Sequence, residues 1–399
     1  MRREGRGPAW VLMGLLPLLG LGVVLALIVL NGAGVSRSDV PPAEELTVQG
    51  VTMPTENEFV VEVRNGGPAP VTLSQVIVND GIQNFEAEPS KTIPRLGTAK
   101  ITIPYSWVQA EAYEIALVSN TGVTFDAEVE AAALTPGFSG ETLFGYALIG
   151  FYVGIVPVAL GLLWYPFLRR LGTAGMNAML ALTIGLLLFL VVDTLGEAVE
   201  VAGDLPEVLS GIALVILVTL MTVLALLSTD RLFRRLRGGA QSGGRLETSY
   251  RISFGIGLHN LGEGLAIGAA FALGESALGA FLVIGFTLHN ITEGVGIAAP
   301  ILKEKRPRLA HFVWLALLAG SPAILGTLLG GFAYSPLAAT VFLAVGAGAI
   351  LQVIYEVGKI VLKDSGPDEA PSLPAALSSP NLLGLTAGIA IMYATGLLV

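Results

Sequence analysis

The chain has 399 residues, 53% hydrophobic and 13% charged, which is too apolar for a wholly soluble protein, where roughly a quarter of residues carry charge. With no cysteine, disulfides, thiolate metal sites and thiol redox chemistry are excluded, and any metal must be held by His, carboxylate or amide oxygen. The formal net charge of −9 sits between Asn31 and Gly140, where 14 acidic residues face 5 basic ones, a placement that argues against a nucleic-acid partner.

In chain order, the basic start MRREGRGPAW leads into an apolar stretch from about 10 to 30. A signal-peptide core runs about 7–15 residues, so this length predicts a membrane anchor over 1–35, with Gly32, Ala33 and Gly34 leaving cleavage as the alternative. From 36 to 138 the texture changes to short alternating runs: LTVQGVTM, EFVVEVRN, VTLSQVIVND, KITIPY, YEIALVSN and VTFDAEV. Turn sequences NGG, NDG, EPS and NTG separate them. Strands at this spacing predict a small extracytoplasmic β-sandwich of immunoglobulin-like shape. It carries no His cluster or catalytic constellation, so a structural or interaction role is expected, with a partner the sequence does not name.

The remainder, 139–399, predicts an all-α polytopic membrane bundle. Apolar segments lie near 142–168, 175–200, 207–228, 251–272, 276–301, 310–333, 337–361 and 381–398. Each is of the length needed to cross a hydrocarbon core of about 30 Å. Lys and Arg collect at alternate ends, at Arg169 and Arg170, in RLFRRLRGG, in KEKRPR, and at Lys359 and Lys363. These ends are expected to be cytoplasmic. The acidic connection EAVEVAGDLPE then falls outside, together with the β-domain and the C-terminus. The expected location is a cell membrane, multi-pass, in contact with lipid; a homodimer is compatible with the sequence.

Chemistry concentrates in two neighbouring segments. RISFGIGLHNLGEGLAIGAA and FLVIGFTLHNITEGVGIAAP share the signature His-Asn-x-x-Glu-Gly. It places His259, Asn260 and Glu263 on one helix and His289, Asn290 and Glu293 on the next. Positions i and i+4 share a helix face, so each His stacks one turn from its Glu. Two of the three histidines in the chain occupy these repeats. Ionisable groups within a bilayer cost several kcal/mol unless paired or coordinated. Two imidazoles, two carboxylates and nearby amide oxygens suit zinc, and also iron(II) or manganese(II). Capping or hydrogen bonding of kinked helices is the plainer alternative for one such motif, and the repetition argues against it.

The paired motifs resemble the metal-binding fourth and fifth helices of the ZIP family of zinc and iron transporters, most closely its bacterial members. The resemblance covers the eight segments and leaves out the anchor and the β-domain. It implies an eight-helix bundle with both ends outside, passing divalent metal inward as substrate: zinc first, with iron, manganese and cadmium as alternatives. It also implies transport-path roles for Asp193 and Glu197 in VVDTLGEAVE, as an outer vestibule, and for Glu356 in GAGAILQVIYEVGKI, near the inner exit. Solvated helix-end positions are the alternative for the first group, and an i,i+3 pair with Lys359 for Glu356. Departures from the family pattern are Gly262 and Thr292 where it has proline, and Ser321 before Pro322 where many bacterial members have a Glu that joins a second metal. One competent metal site is therefore expected, and His311 is expected to be interfacial rather than a ligand. No enzymatic activity is expected. A metal-sensing membrane receptor fits the same residues, as does a membrane-embedded zinc hydrolase, although no HExxH motif is present.

Overall fold

The computed structural model describes residues 19–27, 43–236, 244–303, 307–364 and 378–396. Residues up to Ala43 form a unit of their own, in which 19–27 are helical. The rest of the predicted anchor, the start of the predicted β-domain, residues 304–306 of KEKRPR and residues 397–399 lie outside the described residues.

The β region follows the period-two pattern of its sequence. β1 (Leu46–Thr55), β2 (Glu58–Asn65), β3 (Val71–Val78), β7 (Thr98–Pro104), β8 (Tyr113–Ser119) and β9 (Thr124–Val129) coincide with the six predicted runs. Three short strands were not foreseen: β4 (Gly81–Gln83), β5 (Glu86–Glu88) and β6 (Thr92–Ile93). At two or three residues they are too short to show alternation. The strands form two antiparallel sheets, ordered β1-β2-β7-β5 and β4-β3-β8-β9, with β6 beside β3. Phe59, Val61, Ile101 and Ile103 from one sheet pack with Val76, Ile115 and Leu117 from the other in a single buried core. The Asn79-Asp80-Gly81 turn holds β3 to β4 with positive φ at Asn79 and Asp80, the backbone that short hairpins favour and that Asn and Asp tolerate.

Ser139 ends this region and starts the next as a helix cap. Its hydroxyl accepts from Thr142 N while the Thr142 hydroxyl accepts from Ser139 N, satisfying two backbone groups reciprocally. From there the chain is helical. α1 (Gly140–Leu168) is interrupted by a π-helical turn at Phe151–Ile155. α2 (Thr173–Gly203), α3 (Gly211–Leu236), α4 (Arg245–Ala272), α5 (Ser276–Ala298), α6 (Leu309–Ala333), α7 (Pro336–Asp364) and α8 (Ser379–Gly396) follow. Six of the described helices, α1, α2, α3, α5, α6 and α7, are long and apolar enough to cross a membrane. The expectation of eight is thus met in part. α4 carries His259, Asn260 and Glu263 within and Arg245, Glu247 and Arg251 at its start, which lower its apolarity, and α8 is described over 18 residues.

Two features of packing position the site. α4 ends in Gly274, at φ +83, where the N–H of Glu275 reaches Ala270 O and that of Gly274 reaches Phe271 O. This left-handed cap reverses the chain directly into α5. α4 also lies backbone to backbone against α6. A Cβ at Gly264 would meet the Ala323 carbonyl and stand 3.0 Å from its Cα, and one at Gly330 would stand 2.8 Å from Ala269 N. α5 meets α1 in the same way, Gly294 against Gly161. Small residues permit such approach, which is how helices associate where lipid removes the hydrophobic drive.

Candidate metal centre

The tight turn between α4 and α5 makes the two motifs opposing neighbours. His259 lies 14 residues before Leu273 and His289 lies 13 after Ser276, so at 1.5 Å per residue both sit about 20 Å from the turn. The structure brings His259, Glu263 and His289 together, with one ligand atom from each all within 4.8 Å of one another. They are 3%, 1% and 7% exposed. His259 Nε2 lies 3.0 Å from Glu263 Oε1, and His289 Nε2 is in close contact with the same oxygen. Protons or a divalent cation can hold two imidazole nitrogens around one carboxylate oxygen. Without either, the buried negative charge would be prohibitively costly.

The two asparagines flank this ring and are anchored to other helices. Asn260 Nδ2 donates to Ala319 O on α6 at 3.0 Å. Asn290 Nδ2 donates to Val153 O on α1 at 3.0 Å and to Glu263 Oε2 at 3.2 Å. Val153 needs such a donor because Pro157, four residues on, has no N–H to offer it. These bonds fix which end of each amide is which, since a flipped amide would press oxygen against carbonyl oxygen. The Oδ1 atoms of Asn260 and Asn290 are left buried without a partner. Glu293 is also buried but lies outside the ring of three. Asn260 stands near it, yet neither of its oxygens has a hydrogen-bond partner of sound geometry. The site is therefore rich in acceptors and poor in donors, the inventory a cation would satisfy.

A cavity of about 840 Å³ reaches this cluster, with His289 in its lining. Asp193, Glu197 and Glu200 line it from α2, with Asp204, Glu275 and Tyr334 from the loops at the same end. Asp193 is exposed and Glu197 half-buried. Burial and the neighbouring Glu200 raise Asp204 above the usual carboxylate range, while burial and the charges of Asp204, Glu275 and Glu197 push the Tyr334 phenol up to about 12. Tyr334 thus keeps its O–H at every physiological pH. The β region touches this end: Glu45 Oε1 accepts from Glu207 N at 2.7 Å, and Gly274 sits beside Ala133 and Met53.

Glu356 is placed elsewhere, in an ion-pair network. Lys359 Nζ donates to it at 2.8 Å, and Arg251 Nη1 lies 3.8 Å away while Arg251 also holds Glu247. His311 stands apart from the cluster, its Nδ1 2.9 Å from the Tyr250 hydroxyl. Ser321 is half-buried on α6.

Two residues of the site were not foreseen. Pro157 within an otherwise apolar segment was a readable signal of a freed carbonyl. Thr194, next to Asp193, is buried with its Oγ1 3.2 Å from His259 Nδ1; nothing in the sequence distinguishes it from other helix threonines. Compared as a sequence with family models and with curated proteins, the chain matches none.

Proposed function

We propose that the protein carries divalent transition metal ions, zinc foremost, across the membrane into the cytoplasm, as an eight-helix transporter of the ZIP kind. The observation that carries this reading is the convergence of His259, Glu263 and His289, buried, from two consecutive helices. Nitrogen and oxygen donors in this number suit zinc and leave coordination positions open. Asn260, Asn290 and Glu293 supply further buried oxygens that lack a well-aligned donor.

On this reading the acidic cavity at the end touching the β region is the outer vestibule. Its carboxylates concentrate cations by their summed field. The ion then exchanges water for the imidazole and carboxylate ligands. Release on the far side requires the ligand-bearing helices to shift against the others, as alternating access demands. Because glycine contacts tie α4 to α6 and α5 to α1, the moving part is the group of four rather than the motif pair alone. The ends bearing Arg169, Arg170, Arg251 and Lys359 face the cytoplasm, by the bias of positive charge.

The decisive experiment is zinc uptake into proteoliposomes. Glu263→Ala and His289→Ala are each expected to abolish it, and uptake unchanged in both would overturn the reading. A second reading, a metal sensor, is favoured by one observation: the β region packs on the turn joining the two motif helices. Binding of zinc without uptake would select it.

A further inference from the structure

We infer that Thr194 of α2 is a positioning residue that fixes the tautomer of His259, directing the Nε2 lone pair at the ion; the inference rests on the metal-site reading above. Thr194 is 1% exposed, so bulk water does not reach its hydroxyl. Its single proton has the Leu190 carbonyl one turn back as its nearer partner, at 2.8 Å. Helical threonines commonly bond in this way. The same oxygen lies 3.2 Å from His259 Nδ1. If Nδ1 carried the lone pair, the hydroxyl proton would turn to it, and the two oxygens would face each other at 2.8 Å with no proton between them. Nδ1 must therefore be the donor, and Thr194 Oγ1 the acceptor.

A neutral imidazole has one N–H. With that proton held on Nδ1, the lone pair falls on Nε2, the nitrogen turned toward Glu263 Oε1 and the His289 ring. Hydrogen bonds on the remote nitrogen of a ligating histidine orient the ring and raise its basicity, and losing them costs about 10–100-fold in metal affinity. The two histidines differ here, because the hydroxyl on α2 is placed at His259. The bond also crosses from α2 to α4, so it depends on how those helices meet.

The test compares Thr194→Val, which keeps the shape and loses the hydroxyl, with Thr194→Ser, which keeps the hydroxyl. Zinc affinity of the purified full chain in detergent is measured by calorimetry, and the tautomer by ¹⁵N NMR of histidine-labelled protein with and without zinc. Thr194→Val is expected to weaken zinc about 10–100-fold, and Thr194→Ser to restore it close to wild type. In wild type and the serine variant, the zinc-bound His259 should show a protonated Nδ1. Wild-type affinity in the valine variant, weakening that serine does not restore, or an unprotonated Nδ1 of His259 in zinc-bound wild type would each overturn the inference. Should Thr194→Val fail to fold, the wild-type and serine spectra still decide. Failure of the metal-site reading has a different signature: wild type, serine and valine variants alike would bind no zinc.

Discussion

Replacing Gly264 by alanine tests whether the α4–α6 seam sets the geometry of the ligand ring. The added Cβ would stand 3.0 Å from both the carbonyl carbon and the Cα of Ala323, and closer still to its oxygen. Carbon atoms in contact prefer about 3.5–4.0 Å, so the helices must part locally by about 0.5–1 Å, the difference between that optimum and the crowded contact. The obstruction is backbone on both sides, not the end of a flexible side chain. Overpacking of this kind costs about 1–3 kcal/mol. Glu263 is the adjacent residue, and ligand constellations tolerate displacements of only about 0.5 Å. If the strain is relieved by tilting α4, zinc affinity should fall about ten- to a hundredfold, at one decade per 1.4 kcal/mol. Calorimetric zinc titration and a thermal melt, both in detergent, read the two consequences. Gly145→Ala on α1 is the control, since nothing lies within 4 Å of its added Cβ. A Gly264→Ala protein that matches Gly145→Ala in melting and in zinc affinity would refute the reasoning.

Other expectations follow from the same contacts. Glu356→Gln should lower thermal stability by about 1.5–3 kcal/mol, because it removes the charged acceptor for Lys359 and Arg251, and should leave zinc affinity unchanged; the converse pattern would make Glu356 an ion ligand. Glu275 is raised above 4.5 by partial burial and by Glu130, so the folded chain holds that proton more tightly than the unfolded one and stability falls as pH climbs past that value. Glu275→Gln should therefore raise the melting temperature at pH 7 and have no effect well below 4.5, with the gain trimmed by solvent screening at this half-exposed site; an equal gain at both pH values would contradict the assignment. Phe59→Ala, at a position with no exposure in the core between the two sheets, should cost the β region about 3–5 kcal/mol, seen as an earlier unfolding transition by circular dichroism.

The legible parts of this protein were those where the pattern is periodic and repeated. Alternation in EFVVEVRN set β2 and its buried face, Phe59, Val61 and Val63. The duplicated HNxxEG located the buried cluster, because helical spacing alone puts His259 over Glu263 and the short connection puts His289 opposite. Less legible were features that depend on a third element. Glu293 shares the spacing of Glu263 but lies outside the ring, since sequence spacing sets the face of one helix and not its rotation against a neighbour. Glu356 lies in the same helix as Lys359 and could be read either way. Only the approach of Arg251 from α4 makes the network plain. Thr194 was unreadable for the same reason: its partner is 65 residues away.

The number of ions the site can hold follows from what α6 presents to it. Asn260 meets α6 at the backbone carbonyl of Ala319, and two residues on stands Ser321, a hydroxyl and not a carboxylate. Within the motif pair the anionic charge is that of Glu263 and Glu293, which one divalent cation balances and two would exceed. A second ion would need another carboxylate from a neighbouring helix; α6 has Ser321 at that place, and those of α2, Asp193 and Glu197, line the cavity leading to the ring. On the proposed reading this makes a single-ion site of modest affinity. Its histidines and carboxylates must shed protons to bind, so occupancy should decline as pH falls. The three converging side chains leave coordination positions open, which a transported ion needs in order to leave.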